Sequence, residues 1–173
     1  MDLLDFTAED LYFDDDANPA VTGLLADAAE AYGTPVAEER LLRAYFKAPE
    51  NLSVLVALYR YFYYQHRYDD ALEVAERSMR VVSHRLGITQ DWRALGETDL
   101  ARGVQDSMTL FRFYLYALKG SAYLKLRIGL PQEALARLQV IAKLDPVDRM
   151  GVQPLIDLAK EALASGHDVT AVA

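Results

Sequence analysis

Cysteine is absent from this 173-residue chain, which removes disulfides, thiolate metal sites and cysteine nucleophiles from consideration. Histidine is scarce. His66, His84 and His167 lie far apart, and none is spaced from another histidine or from an acidic partner on the same helix as a metal site requires. The chain contains no Gly-x-Gly-x-x-Gly, no Walker loop and no Gly-x-Ser-x-Gly elbow. A non-enzymatic protein with no metal and no cofactor is therefore expected. No apolar run approaches the ~18 residues needed to span a membrane, and the opening MDLLDFTAED is acidic where a signal peptide is basic. These features point to a cytoplasmic protein with no membrane partner.

Basic residues are missing from one place in particular. Residues 1–16 hold Asp2, Asp5, Glu9, Asp10, Asp14, Asp15 and Asp16 and no Lys or Arg. The whole chain has 26 acidic and 18 basic side chains, so taking out those seven leaves 19 against 18, and nearly all of the net charge of −8 sits in this segment. No broad basic field remains to attract nucleic acid or anionic lipid. With 52% hydrophobic residues, the rest of the chain is long enough to bury one sizeable core. Residues 1–17 read as an acidic extension, 18–166 as a helical domain and 167–173 as a tail. The acidic segment also carries Leu3, Leu4, Phe6, Leu11, Tyr12 and Phe13. Those residues suit either a first helix packed on the domain or an arm that covers a binding groove.

Apolar residues recur at helical rather than alternating spacing, so the class is all-α. Thr34 and Pro35 form an N-cap and first-turn pair for a helix over about 35–48. Pro49 ends it, and Asn51 caps another over about 52–65. Asp69 and Asp70 open a third at about 69–85, whose Glu73–Arg77 and Glu76–Arg80 spacings predict a salt-bridged face. Gly87 and Gly96 bracket ITQDWRAL, a loop or short helix in which Trp92 reads as an anchor. A helical pattern then runs from Thr98 or Asp99 to about Ile128, broken at most weakly at Gly103 and Gly120. Two further helices follow, from Pro131 to LDP at 144–146 and over about 154–165.

A repeat underlies this series. GLPQEALARLQVIAKLDP, HRYDDALEVAERSMRVV and TPVAEERLLRAYFKAPEN each place a small residue, Ala134, Ala71 and Ala37, at the same point of a helix. The last of the three segments also carries Leu41, Ala44 and Pro49 at matching spacing. Ala37 and Ala71 are 34 residues apart. Ala71 and Ala134 are 63 apart, one period plus an insertion of 29, most of it within 86–112. The chain resembles the tetratricopeptide repeat family over residues 18–148. That resemblance implies a short right-handed α-solenoid of about three hairpins with a C-terminal capping helix. His66 stands where the family has its turn glycine, and Tyr59 stands where a small residue lets helices approach.

The stretch LYRYFYYQHRY, 58–68, is crowded with aromatic residues. Leu55, Leu58, Tyr59 and Phe62 share one helical face and form the ordinary core stripe. By the resemblance, Ser53, Val56, Arg60, Tyr63 and Tyr64 match positions that line a concave groove, and Tyr114, Ala117, Ser121, Leu124 and Lys125 match them in the third unit. Tyr63 and Tyr64 otherwise read as cover for the edge of the core. Grooves of this family that grip a C-terminal carboxylate use a paired Asn and Lys. Val56 and Arg60 hold those places here, which favours an internal, partly apolar peptide. The layout is similar to bacterial type III secretion chaperones that cradle translocator proteins. The resemblance thus implies an adaptor or chaperone whose partner is another protein or peptide. The alternative is a structural or regulatory assembly subunit, such as a homodimer, without a peptide client.

Overall fold

The computed structural model describes residues 18–166, so the acidic extension at 1–17 and the tail at 167–173 lie outside the described residues. Among these the chain is all-helical, with seven α-helices: α1 (Pro19–Glu30), α2 (Pro35–Lys47), α3 (Leu52–Tyr64), α4 (Tyr68–Leu86), α5 (Glu97–Arg127), α6 (Pro131–Leu144) and α7 (Gln153–Ser165). A single 3₁₀ turn, Trp92–Ala94, stands between α4 and α5. No helix among the described residues is long and apolar enough to cross a membrane.

Local chemistry sets most of the boundaries. Asn18 and Asn51 cap α1 and α3 by accepting hydrogen bonds from Ala20 N and Val54 N, each at 3.0 Å. Prolines stand in the first turns of α1, α2, α6 and α7, where a missing N–H costs nothing. Gly87 ends α4 in the left-handed region, φ 59°. His66 occupies that region too, φ 58°, at the turn between α3 and α4 where a glycine is the usual choice. Thr34 differs from its expected role. Its side chain makes no cap and instead donates to Ala31 O at 2.7 Å, tying α2 back to the end of α1.

Each helix packs on the one that follows it, and α1 also reaches α3. Ala37, Ala71 and Ala134 are completely buried, so each of these repeated small residues sits at a close helix approach. Leu55, Leu58, Tyr59 and Phe62 are buried as the core stripe of α3. Tyr59 is accommodated because α5 offers Gly120 opposite it: a Cβ on Gly120 would lie 2.9 Å from Tyr59 Oη. The small residue expected on α3 has been traded for one on α5.

The insertion is folded onto the helices. Ile88, Trp92 and Leu95 are buried, and Asp99 clasps the loop by accepting from Thr89 N at 2.9 Å and Gly96 N at 3.1 Å. The helix that follows does break, though at neither glycine. Ser107 has extended backbone, φ −163° and ψ 102°, and its Oγ accepts from Leu110 N at 3.3 Å as an N-cap does. Gly103 lies beside this kink because the Phe111 ring occupies the space, with Cδ2 2.2 Å from where a Cβ would be. The expected pairs within α4 are also replaced: among the described residues Arg77 reaches Glu50 at 3.2 Å, and Glu76 takes Arg137 of α6 at 2.8 Å. Glu76 and Arg77 serve tertiary contacts in preference to partners on their own helix.

Candidate functional site

Tyrosines from four segments converge at one end of the helical array. Tyr63, near the end of α3, is half-buried among the rings of Tyr59 (6.2 Å between centroids), Tyr64 (5.4 Å), Tyr68 of α4 (6.0 Å) and Tyr123 of α5 (6.2 Å). These separations lie in the range at which offset and edge-to-face ring pairs attract. Tyr32, in the turn after α1, meets Tyr61 edge-on at 6.4 Å. Two members of the group remain open to solvent, Tyr32 at 54% and Tyr64 at 56%. A large aromatic ring left this exposed is apolar area still available for a partner.

Cations hold the group in place. Arg127 of α5 lies over the Tyr68 ring at 4.9 Å and donates to the hydroxyls of Tyr68 (2.8 Å) and Tyr123 (3.4 Å), fixing α4 against α5. His66 Nδ1 is 2.8 Å from the same Tyr68 oxygen. Arg67 covers the Phe62 ring at 4.4 Å and donates to both Glu38 and Asp70 at 2.6 Å. Tyr61 donates to Glu38 at 3.5 Å. Burial, then the Glu38 charge, raises the Tyr61 pKa above the ordinary phenol value, and burial followed by the neighbouring Tyr64 does the same for Tyr32. Both phenols therefore stay neutral hydrogen-bonding groups through the physiological range.

The residues expected from the sequence divide between this face and the interior. Tyr63 and Tyr64 stand in it. Ser53 and Arg60 are half-buried on the same helix. Val56 (2% exposed), Tyr114 (1%) and Ser121 (0%) are interior residues, as are Ala117 and Leu124, so they present no surface to a ligand in this structure. The reason lies in α5, which is covered by α4 on one side and α6 on another. It is also crossed by the segment before α7, whose Met150 O accepts from Lys119 Nζ at 2.7 Å. Over residues 113–126 the helix is covered on several sides and has no open stripe, whereas its first half is exposed. Ser121 Oγ donates to Leu118 O at 2.8 Å within its own helix. Lys125 bonds Glu133 of α6 at 3.1 Å and so braces a hairpin. That bond is the main reason the Glu133 carboxyl is held below its usual pKa.

Tyr32, Tyr61, Tyr68, Tyr123 and Arg127 join the face without having been assigned to it from sequence. A usable signal existed for two of them: Tyr32 immediately precedes the Gly33–Thr34–Pro35 turn, and Tyr123 stands four residues before Arg127 on one helix.

The fold and this face define an all-helical protein with a tyrosine-rich surface and a folded insertion. Over 161 residues, 93% of this chain and 90% of the other, it is 42% identical to the uncharacterized 19.8 kDa protein in the nifW 5′ region of Azotobacter chroococcum mcd 1, and it belongs to the same family. No family model matches the chain, and no solved structure matches it.

Proposed function

We propose that this protein is a non-enzymatic adaptor or chaperone that binds a segment of another protein against the tyrosine face. In this reading α1–α2, α3–α4 and α5–α6 are three hairpins of a tetratricopeptide-like solenoid, an insertion lying mostly within 86–112 separates the second from the third, and α7 caps the array. The observation that carries the proposal is the exposure of Tyr32 and Tyr64 beside rings already packed and cation-braced. Such rings need little further ordering to bind. Tyrosine gives large contact area with two side-chain torsions and keeps a hydroxyl for hydrogen bonding. Tyr63 and Arg127 act as support beneath the contact surface. The ligand this face suits is an apolar, hydrogen-bonding polypeptide segment.

The test is capture from the native cell with tagged protein, comparing wild type with a Tyr32→Ser/Tyr64→Ser double variant. Both positions are more than half exposed, so the variant keeps its fold. A stoichiometric protein partner held by wild type and lost by the double variant supports the proposal. A wild-type protein that only self-associates, or a partner held equally by both, refutes it.

A further inference from the structure

A second site lies away from the tyrosine face, between α4, the 3₁₀ turn of the insertion and α6. Its cavity of about 360 Å³ is lined by Glu76, Met79, Arg80, Gln90, Asp91, Trp92, Arg93 and Arg137. Arg137 is an uncommon residue to find there, since its side chain is only 5% exposed and a buried arginine is normally saturated with acceptors. Its Nη2 donates to Glu76 at 2.8 Å. Its Nη1 forms an ion pair with Glu133 at 3.5 Å, and its buried Nε has no hydrogen-bond partner among the described residues. The guanidinium also lies over the Trp92 ring, 4.9 Å from its centre, and Arg93 lies over that ring at 4.3 Å. Arg137 is thus fixed in place before any ligand arrives.

The charges around the cavity do not cancel. Asp91 is taken by Arg93 at 3.6 Å and by the Arg93 backbone N–H at 3.1 Å, and Glu76 is taken by Arg137. Glu133 is shared between Arg137 and Lys125. Arg80, exposed on the rim, has no ion-pair or hydrogen-bond partner among the described residues. Arg80, left without a partner where Arg93 and Arg137 already take the nearby carboxylates, makes a local positive spot in a chain of net charge −8.

We propose that this cavity binds a carboxylate, held by the exposed Arg80 guanidinium, with the buried charge of Arg137 behind it and Trp92 in the cavity wall. Guanidinium groups match the planar, two-oxygen geometry of a carboxylate. The carboxylate can come from a free small acid or from an acidic side chain of a polypeptide. Arg80 and Glu76 also border an adjoining cleft with an apolar floor of Leu42, Tyr45, Leu55 and Phe62, which suits a polypeptide source. The cavity itself shares no residue with the tyrosine face, although the adjoining cleft shares Glu38, Phe62 and Arg67 with its bracing.

Trp92 is the only tryptophan in the chain, so its fluorescence reports on this cavity alone. The full-length protein is titrated with succinate and, separately, with a synthetic peptide of the sequence of residues 1–16, which is acidic and contains no tryptophan. Expected is a saturable change in Trp92 emission with one or both probes, weakened by added salt and about tenfold weaker in Arg80→Gln. Saturation by succinate identifies a free acid as a sufficient ligand, and saturation by the peptide alone identifies a polypeptide-borne one. Arg80 is exposed and unpaired among the described residues, so Arg80→Gln leaves the fold intact, which its melting temperature checks. The proposal is overturned if neither probe gives a saturable change, or if Arg80→Gln binds as tightly as wild type.

Discussion

Gly120 and Tyr59 form the contact by which α5 accepts a large ring from α3, and the pair can be tested as a thermodynamic cycle. A Cβ at position 120 would meet Tyr59 Oη at 2.9 Å and Cζ at 3.4 Å. The first distance is too short for unbonded atoms, and the second is ordinary contact. Because Tyr59 is completely buried, its rigid ring cannot swing aside. Overpacking of this kind costs about 1–3 kcal/mol, while alanine in place of glycine inside a helix returns about 1 kcal/mol. Gly120→Ala alone is thus expected to destabilise by up to about 2 kcal/mol. In the Tyr59→Phe background the offending oxygen is gone, so the same change should stabilise by about 1 kcal/mol. The coupling, about 1–3 kcal/mol, is measured by urea denaturation of wild type, both single variants and the double variant, compared at equal m value. If Gly120→Ala has the same effect in both backgrounds, the two helices do not meet through this pair and the packing argument fails.

The buried Tyr114 hydroxyl has no hydrogen-bond partner among the described residues, and burial, with Asp99 and Asp91 contributing, raises its pKa. Tyr114→Phe should therefore leave stability unchanged or raise it by about 1 kcal/mol, whereas a loss of that size in a denaturation curve would show that the hydroxyl is bonded. Glu133 is depressed chiefly by the Lys125 hydrogen bond and also by Arg137. A lowered folded pKa gives stability that is present above the unfolded value of about 4.3 and lost as pH falls through the folded value. Glu133→Gln should flatten that part of the acid limb of a melting-temperature profile slightly, since the carboxylate is half exposed, and an unaltered limb would refute the assignment.

How far the sequence disclosed this structure depended on whether the signal was local. Helix ends marked by Pro35, Asn51 and Pro131 fell within a residue or two of the observed boundaries, because caps and prolines act through their own backbone. The break in α5 was missed. Gly103 and Gly120 are the weak points of the pattern, yet the interruption lies at Ser107, whose capping role emerges only once the insertion folds and Phe111 packs on Gly103. The core stripe of α3 was legible from spacing alone. Of the residues matched to a groove by resemblance, Tyr64 is open, but Val56 and, on α5, Tyr114 and Ser121 are covered. A periodicity shows which residues share a side of a helix and says nothing about how many sides are covered. Tyr123 and Tyr32 reach Tyr63 and Tyr61 through pairings between helices distant in sequence, and no single-helix pattern carries such pairings.

The central claim is that the open tyrosines bind a protein partner while the tyrosines beneath them hold the fold. It is tested most directly by measuring, with the captured partner, the affinity and melting temperature of wild type, Tyr64→Ala and Tyr63→Ala. Tyr64→Ala should weaken binding about 30-fold, about 2 kcal/mol, with the melting temperature nearly unchanged, and Tyr63→Ala should lower the melting temperature by several degrees because it removes four ring contacts. Unchanged affinity in Tyr64→Ala, measured on folded protein, would contradict the account.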